Sequence, residues 1–488
     1  MVASIPVLAD YDVSVDNGFL SDMPPAQHLE DAYYKPWEDT IANLQGLILS
    51  KRLRGVVNKM PVLSTDKLQD EAQWRRAYSI LAFITHAYIW GGNKPTERVP
   101  APITVPFLQT CDHLELPPVA TYAGLVLWNW KPLFESERTD TLANLDMLHT
   151  FTGSLDEKWF YLVSVAIEAR GAPLVPLMLN AIEAARHGDR VTVTSCLRTF
   201  AERLDELGLL LTKMYDNCDP HVFYHRIRPY LAGSKNMADA GLPNGVIFDN
   251  GGAMNKQRYV QFSGGSNAQS SIIQFFDLVL SVEHRPTGEK KDAAPPAIGE
   301  KKMKNAPPSA NFIHEMRKYM PGAHARFLAE VGKVANIRSF VEANPADRSL
   351  TIAFDACLAM LSALRDKHIQ IVSRYIIIPS AAAKRNAPSK EGEQKVNLAS
   401  RPKEEKGDGK KDLRGTGGSS LIPFLRQARD ETGERAVDLW SRRLLSKEKG
   451  PAGVGLSKIE RQASNVPECP GLAGVWSVGE EGGGLCYA

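Results

Sequence analysis

The sequence predicts an all-α protein, with a small N-terminal domain and a larger helical C-terminal domain. Three features lead there. Apolar residues recur three and four apart over long stretches, strand-like alternation with hairpin turns is scarce, and no internal repeat divides the chain. Its 488 residues exceed what one compact core holds. Two domains are therefore expected, 1–151 and 152–440, followed by a Gly-rich tail over 441–488 that is expected to be disordered.

The helical segments follow in order. Residues 74–90 carry the first long 3.6-residue pattern. Residues 155–170 start behind Ser154, with Glu157 three positions on, the spacing of a capping box. Patterns over 173–187, 191–214, 269–282, 312–331 and 355–378 complete the set. Two stretches interrupt them, 285–310 and 381–418. Both are rich in Pro, Lys, Gly and Ala and poor in large apolar side chains, so they bury too little to offset their ordering entropy and are expected to be mobile inserts.

Composition narrows the function. Hydrophobic residues make up 43% and charged residues 23%, which is ordinary for a globular chain. Lys and Arg number 58 against 56 Asp and Glu, a net charge of +2. The segments 285–304 and 384–414 together carry +7, which leaves −5 on the rest. Basic charge thus sits in linker-like sequence, and nucleic acid is not an expected partner. No stretch reaches the roughly 18 uninterrupted apolar residues of a membrane span. The first twenty residues hold Asp10, Asp12 and Asp16 with no basic residue, unlike a signal peptide. The six cysteines lie far apart without a CxxC pair, which argues against a disulfide scaffold, a zinc ribbon and a covalently attached c-type haem. A cytoplasmic monomer with reduced thiols, away from membranes, is expected.

Several familiar motifs fail on inspection. His314-Glu315 starts like a zinc-protease helix, but Lys318 stands where the second histidine belongs. Gly415-Thr-Gly-Gly lacks the preceding strand and the lysine of a P-loop. There is no GxSxG elbow.

Three segments remain. In Leu364–Pro379 the residues Leu364, His368, Ile371, Val372 and Tyr375 share one helix face, which puts an imidazole on an apolar stripe. A buried neutral imidazole is one way to hold a haem iron. A core histidine bonded to a carbonyl gives the same pattern. FYHRIRPYLAG, 223–233, sets aromatics beside Arg226 and Arg228, which suits an aromatic carboxylate or, equally, a structural arginine. FSGGSNAQSS, 262–271, is a small polar turn at a helix start, where backbone amides approach a ligand or simply cap the helix.

Together with LPPVATYAGLVLWNW, DEKWFYLVSVAIEA, RKYMPGAHARFL and GTGGSSLIPFLRQAR, these segments resemble the indoleamine 2,3-dioxygenase family, with inserts like those of its fungal members. The resemblance runs from about residue 12 to about residue 435. It implies a larger domain that binds haem b, a smaller one covering the distal side of the pocket, and insertion of both atoms of O2 across the indole C2–C3 bond of tryptophan to give N-formylkynurenine. L-Tryptophan or related indoles, O2 and a reductant for the haem are the implied partners. The alternative is a haem protein that binds O2 without turning tryptophan over.

Residue by residue, the resemblance makes His368 the metal ligand, with Asp277 and Arg365 supporting the haem. Tyr122, Leu125, Phe160, Ser164, Phe223 and Leu231 match the distal pocket. Ser164, Phe223 and Arg228 match positions acting in catalysis, with Arg228 the clamp on the substrate carboxylate. Ser266 and Ala268 approach haem and substrate, and Thr416 belongs to a closing loop. Vertebrate members usually carry Cys at Leu125, Phe at Tyr224, Ser at Ala232 and Gly at Ala268.

Overall fold

The computed structural model describes residues 3–252, 257–287, 311–385, 415–416 and 421–445, and the backbone of 468–471 and 474–477. Contacts gather Met1–Ser446 into one unit and Lys447–Ala488 into a second. The expected boundary after Phe151 falls inside the first unit, and Phe151 itself is buried, stacked on Tyr230 with ring centroids 4.9 Å apart. In the second unit, Glu468–Gly471 pairs antiparallel with Gly474–Ser477. The expected inserts lie mostly outside the described residues, although 381–385 continue a helix, Ile378–Arg385, instead of opening a loop. Most of the expected tail also lies outside them; its first residues belong to the helix Leu439–Leu445.

The first unit is mainly helical, and its principal helices are α1 (Glu71–Trp90), α2 (Ala101–Leu114), α3 (Leu155–Gly171), α4 (Leu174–Arg186), α5 (Arg190–Thr212), α6 (Ser271–Val279), α7 (Gly322–Val334), α8 (Arg348–Val372) and α9 (Leu421–Gly433). Short polar side chains start most of them. Asp70, Ser154, Asp189, Ser270 and Asp347 cap α1, α3, α5, α6 and α8, each accepting the N–H three residues on. The capping box at Ser154 is modified: the Glu157 carboxylate reaches back past the cap to the N–H groups of Phe151 and Thr152, at 2.8 and 2.7 Å. Glu157 therefore fastens α3 to the chain that precedes it.

The core forms where α5 packs along α8, with α3 and α4 against α5 and α9 against α8. Leu197, Phe200, Leu204, Phe354, Leu358 and Leu361 are buried there. Sheet is confined to small patches. Arg98–Val99 runs parallel to Val246–Phe248, which pairs antiparallel with Tyr259–Val260, and Trp130–Pro132 pairs with Leu145–Met147. Taken as a single run, Leu155–Arg186 is long and apolar enough to cross a membrane, a length the uninterrupted-apolar criterion passes over. Here it is two packed helices, and 72% of its most apolar window is buried in the fold.

Proline explains where the helices depart from the sequence pattern. The segment 312–331 is broken, because Pro321 holds Met320 extended (φ −95°, ψ 154°) and α7 starts afresh beyond it. Two π-helical turns, Phe223–Ile227 and Ser373–Ile377, each end two residues before a proline, Pro229 and Pro379. Proline has no N–H for the regular ladder, and the widened turn, closed by Arg228 N–H to Phe223 O and Ile378 N–H to Ser373 O, absorbs the loss. A third π turn, Ala123–Leu127, follows Tyr122. All three face one cavity.

Candidate active site

The cavity measures about 260 Å³. A single water needs roughly 10–15 Å³ on such a scale, so the space suits a multi-atom ligand. α3, α6, α8, α9, the three π turns and the turn at Gly265–Ala268 enclose it. Every residue to which the resemblance gives a role lines it, whereas Tyr224 and Ala232, two of the positions that differ from vertebrate members, do not.

One wall comes from α8. Leu361, Leu364, Arg365, His368, Ile371 and Val372 line the cavity, continued by Tyr375 in the π turn, so the stripe read from the sequence is the cavity wall. The His368 ring opens on this enclosed space, with no hydrogen-bond partner among the described residues. Burial, and then the charge of Arg365, push its pKa down to about 4, so the ring is neutral at physiological pH. A neutral imidazole beside Leu361, Phe424 and Leu425 is the donor and lining that a haem iron and macrocycle take. The residues present fit that group.

The same wall carries a charged network that starts three residues before His368. Arg365, half-buried, donates to the buried Asp277, to Ala428 O at 3.3 Å and to Thr432 Oγ1. Asp277 comes from α6, so this pair joins α6, α8 and α9.

The opposite wall is aromatic and apolar. Tyr122, Leu125, Phe223 and Leu231 are buried. The Phe160 and Phe223 ring centroids lie 4.8 Å apart, and Phe223 meets Tyr375 edge-on. Ser164, one turn after Phe160 on α3, adds a hydroxyl. Arg228 follows the π turn Phe223–Ile227 and is fully buried, its guanidinium 5.7 Å from the centre of the Tyr224 ring. Burial lowers its pKa to about 10, which still leaves it cationic.

The Gly-rich turn forms a third side. Ser266 caps the turn Asn267–Gln269 by accepting from Ala268 N–H, and Ser270 caps α6. The capping reading holds, and the same turn lines the cavity at Ser266, Ala268 and Ser270. The turn packs backbone to backbone on Leu231–Gly233, where a Cβ on Gly233 or Gly264 would overlap Phe262 O or Leu231 O. Thr416 clasps the same turn: its Oγ1 donates to Gly265 O at 2.7 Å, and its carbonyl accepts from Gly264 N–H at 3.1 Å.

Sequence reasoning missed three polar residues that do not line the cavity but hold residues that do. Glu168 is fully buried on α3, one turn after Ser164, and its Oε1 accepts from Tyr122 OH at 3.0 Å and Ser270 Oγ at 2.7 Å. Burial raises its pKa to about 7. An acid on the buried stripe of 155–170 was the available signal. Gln269 accepts from Tyr122 N–H and donates to Gly264 O, binding the distal turn to the Gly-rich one. His284, close behind α6, bridges Asp277 and Glu431.

Comparison with known proteins gives the same picture. A family model described as indoleamine 2,3-dioxygenase matches residues 7–435. The indoleamine 2,3-dioxygenase of Saccharomyces cerevisiae is 41% identical over 447 residues, 88% of this chain and 93% of the yeast protein. Indoleamine 2,3-dioxygenase nanC of Aspergillus nanangensis is 38% identical, with 87% and 96% covered. The 6-hydroxytryptophan 2,3-dioxygenase fscD of Fusarium equiseti is 36% identical, with 86% and 96% covered. This chain belongs to the indoleamine 2,3-dioxygenase family of haem-dependent enzymes.

Proposed function

We propose that this chain converts L-tryptophan to N-formylkynurenine, with haem b held in the cavity through His368 and supported by Asp277, Arg365 and Ser266. The observation that carries the reading is the pairing of chemistries across one cavity: a neutral imidazole on one wall, and a fully buried cationic guanidinium on another. Haem, once reduced by an external donor, would supply the iron that binds O2, and both oxygen atoms end in the product, so no further reductant is consumed per turnover.

The chain's own residues do the rest. Arg228 pairs with the substrate carboxylate, where planar, charge-assisted bonds are strong and directional. Phe160 and Phe223 flank the indole, and Leu125, Leu231 and Tyr122 close the pocket around it. Ser164 is a weak hydroxyl rather than a strong acid, so this wall excludes water and positions the ring without driving protonation of the oxygen. Ser266, Ala268 and Thr416 face the substrate amine.

Comparing L-tryptophan with tryptamine, which lacks the carboxylate, tests the reading. The expected result is a loss of about 100-fold or more in kcat/KM for tryptamine, the scale of a lost buried charge pair. Equal values for the two would remove Arg228 from substrate binding. Including 6-hydroxytryptophan, the substrate in the name of the Fusarium relative, tests the choice of indole.

A further inference from the structure

His284 stands outside the reading above, in a position with its own chemical demand. Its Nδ1 lies 2.7 Å from Glu431 Oε2, and its Nε2 lies 3.0 Å from Asp277 Oδ2. Ionised carboxylates only accept hydrogen bonds, so each ring nitrogen must carry a proton. Both carboxylates have further donors that favour their ionised form. Asp277 accepts from Arg365, and Glu431 accepts from Arg285 N–H at 2.9 Å and Gln427 Nε2 at 2.8 Å. All three side chains are nearly free of solvent: His284 is 5% exposed, Asp277 6% and Glu431 2%. A neutral ring would set a lone pair against a buried carboxylate.

We propose that His284, carried as an imidazolium between Asp277 and Glu431, is a positioning residue that fixes the Asp277–Arg365 pair in the wall that carries His368 and pins α9 to it. Asp277, Arg365, Phe424, Leu425 and Ala428 all line that wall. Removing the His284 proton, or the ring, separates α9 from α6 at this histidine bridge and leaves two carboxylates facing each other.

The surrounding charges are consistent with this state. Burial alone lowers the His284 pKa, but the Asp277 charge and the bonds to Asp277 and Glu431 outweigh it and raise the net value, while Arg365 opposes them. Just past the end of α9, Glu434 takes Arg285 at 2.9 Å and Arg435 takes Glu283 at 2.5 Å. His314 and Arg317 face the cluster from the segment before α7; His314 interacts with His284, and Arg317 with Asp277. For a histidine whose folded pKa is raised, the stabilisation is complete below the unfolded value. It is lost as pH rises through the folded value, above the ordinary 6.5.

The importance of this bridge for haem rests on the function proposed above; its charge state does not. The test has two arms. Long-range 1H–15N correlation on the histidine-labelled, haem-free chain should show a doubly protonated His284 ring at pH 6.5, and Glu431→Gln, which keeps an acceptor but removes the charge, should move its titration down by about a unit or more. In the second arm, transfer of haem to apomyoglobin should be about tenfold or more faster from His284→Gln than from wild type at pH 6.5, with the gap narrowing as pH rises. A neutral ring at pH 6.5, or identical haem transfer at every pH, would overturn the proposal. If the wild-type chain takes up no haem, the haem reading fails. The ring titration, together with denaturant unfolding of wild type, His284→Gln and Glu431→Gln across the same pH range, then decides the bridge: a pH-independent stability difference refutes it.

Discussion

Arg365 Nη2 donates to both carboxylate oxygens of Asp277, at 2.6 and 2.7 Å, three residues before His368 on the same helix. Burial pushes the Asp277 carboxyl up, but the charges of Arg365 and His284 outweigh it and hold it below the usual carboxylate range. The pair is thus a fixed zwitterion in the cavity wall that ties two helices together three residues before His368, the proposed haem ligand. Asp277→Ala leaves Arg365 and His284 without this partner, and about 3–5 kcal/mol of stability should be lost at neutral pH, read by denaturant unfolding of the haem-free chain. The wild-type advantage should persist above the ordinary value of 3.8 and fade as pH falls through the lower folded value. A loss below about 1 kcal/mol, the scale of an exposed pair, would place the interaction in solvent.

His368→Ala should abolish stable haem binding while leaving the helical signal in circular dichroism near wild type. The ring makes no hydrogen bond among the described residues, so its removal costs the fold little. An unchanged Soret band after purification would show that another residue holds the iron.

Glu168 should make the stability of the wild-type chain pH-dependent. Its folded pKa, about 7, lies above the ordinary 4.5, so the folded state holds its proton more tightly. Stability is therefore greatest below about 4.5 and declines as pH rises to about 7, by up to roughly 3 kcal/mol from this group. Glu168→Gln keeps an acceptor for Tyr122 OH and Ser270 Oγ and should flatten that window. Parallel pH profiles for the two proteins would mean that Glu168 stays ionised.

Arg228→Lys should fail to rescue the clamp. Lysine keeps the charge but lacks the planar fork. The expected loss in kcat/KM for L-tryptophan is about 10-fold for Lys and about 100-fold or more for Ala. Near-normal kinetics in Arg228→Ala would assign the arginine a structural task.

Much of this site was legible because helical spacing is a local signal. Leu364, His368, Ile371, Val372 and Tyr375 were placed on one face by counting, and that face is the cavity wall. Ser154 was identified as a cap on the same basis. Other features depend on partners far away in sequence. His284 takes its meaning from Glu431, 147 residues on, and Glu168 from Ser270, 102 residues on. Spacing does not encode such pairs. The π turns lie between these cases: Pro229 and Pro379 marked where the regular ladder fails, but a helix end satisfies the same constraint, and packing selected the widened turn. Pro321 broke the 312–331 pattern by holding Met320 extended, and there the helix did stop.

The most direct test of the account is turnover of the reduced, haem-loaded full chain with L-tryptophan under 18O2, with the product read by mass spectrometry. The expected result is sustained formation of N-formylkynurenine carrying two 18O atoms in a single molecule. O2 bound without product, or a product with a single labelled oxygen, would contradict the assignment of this cavity to tryptophan dioxygenation.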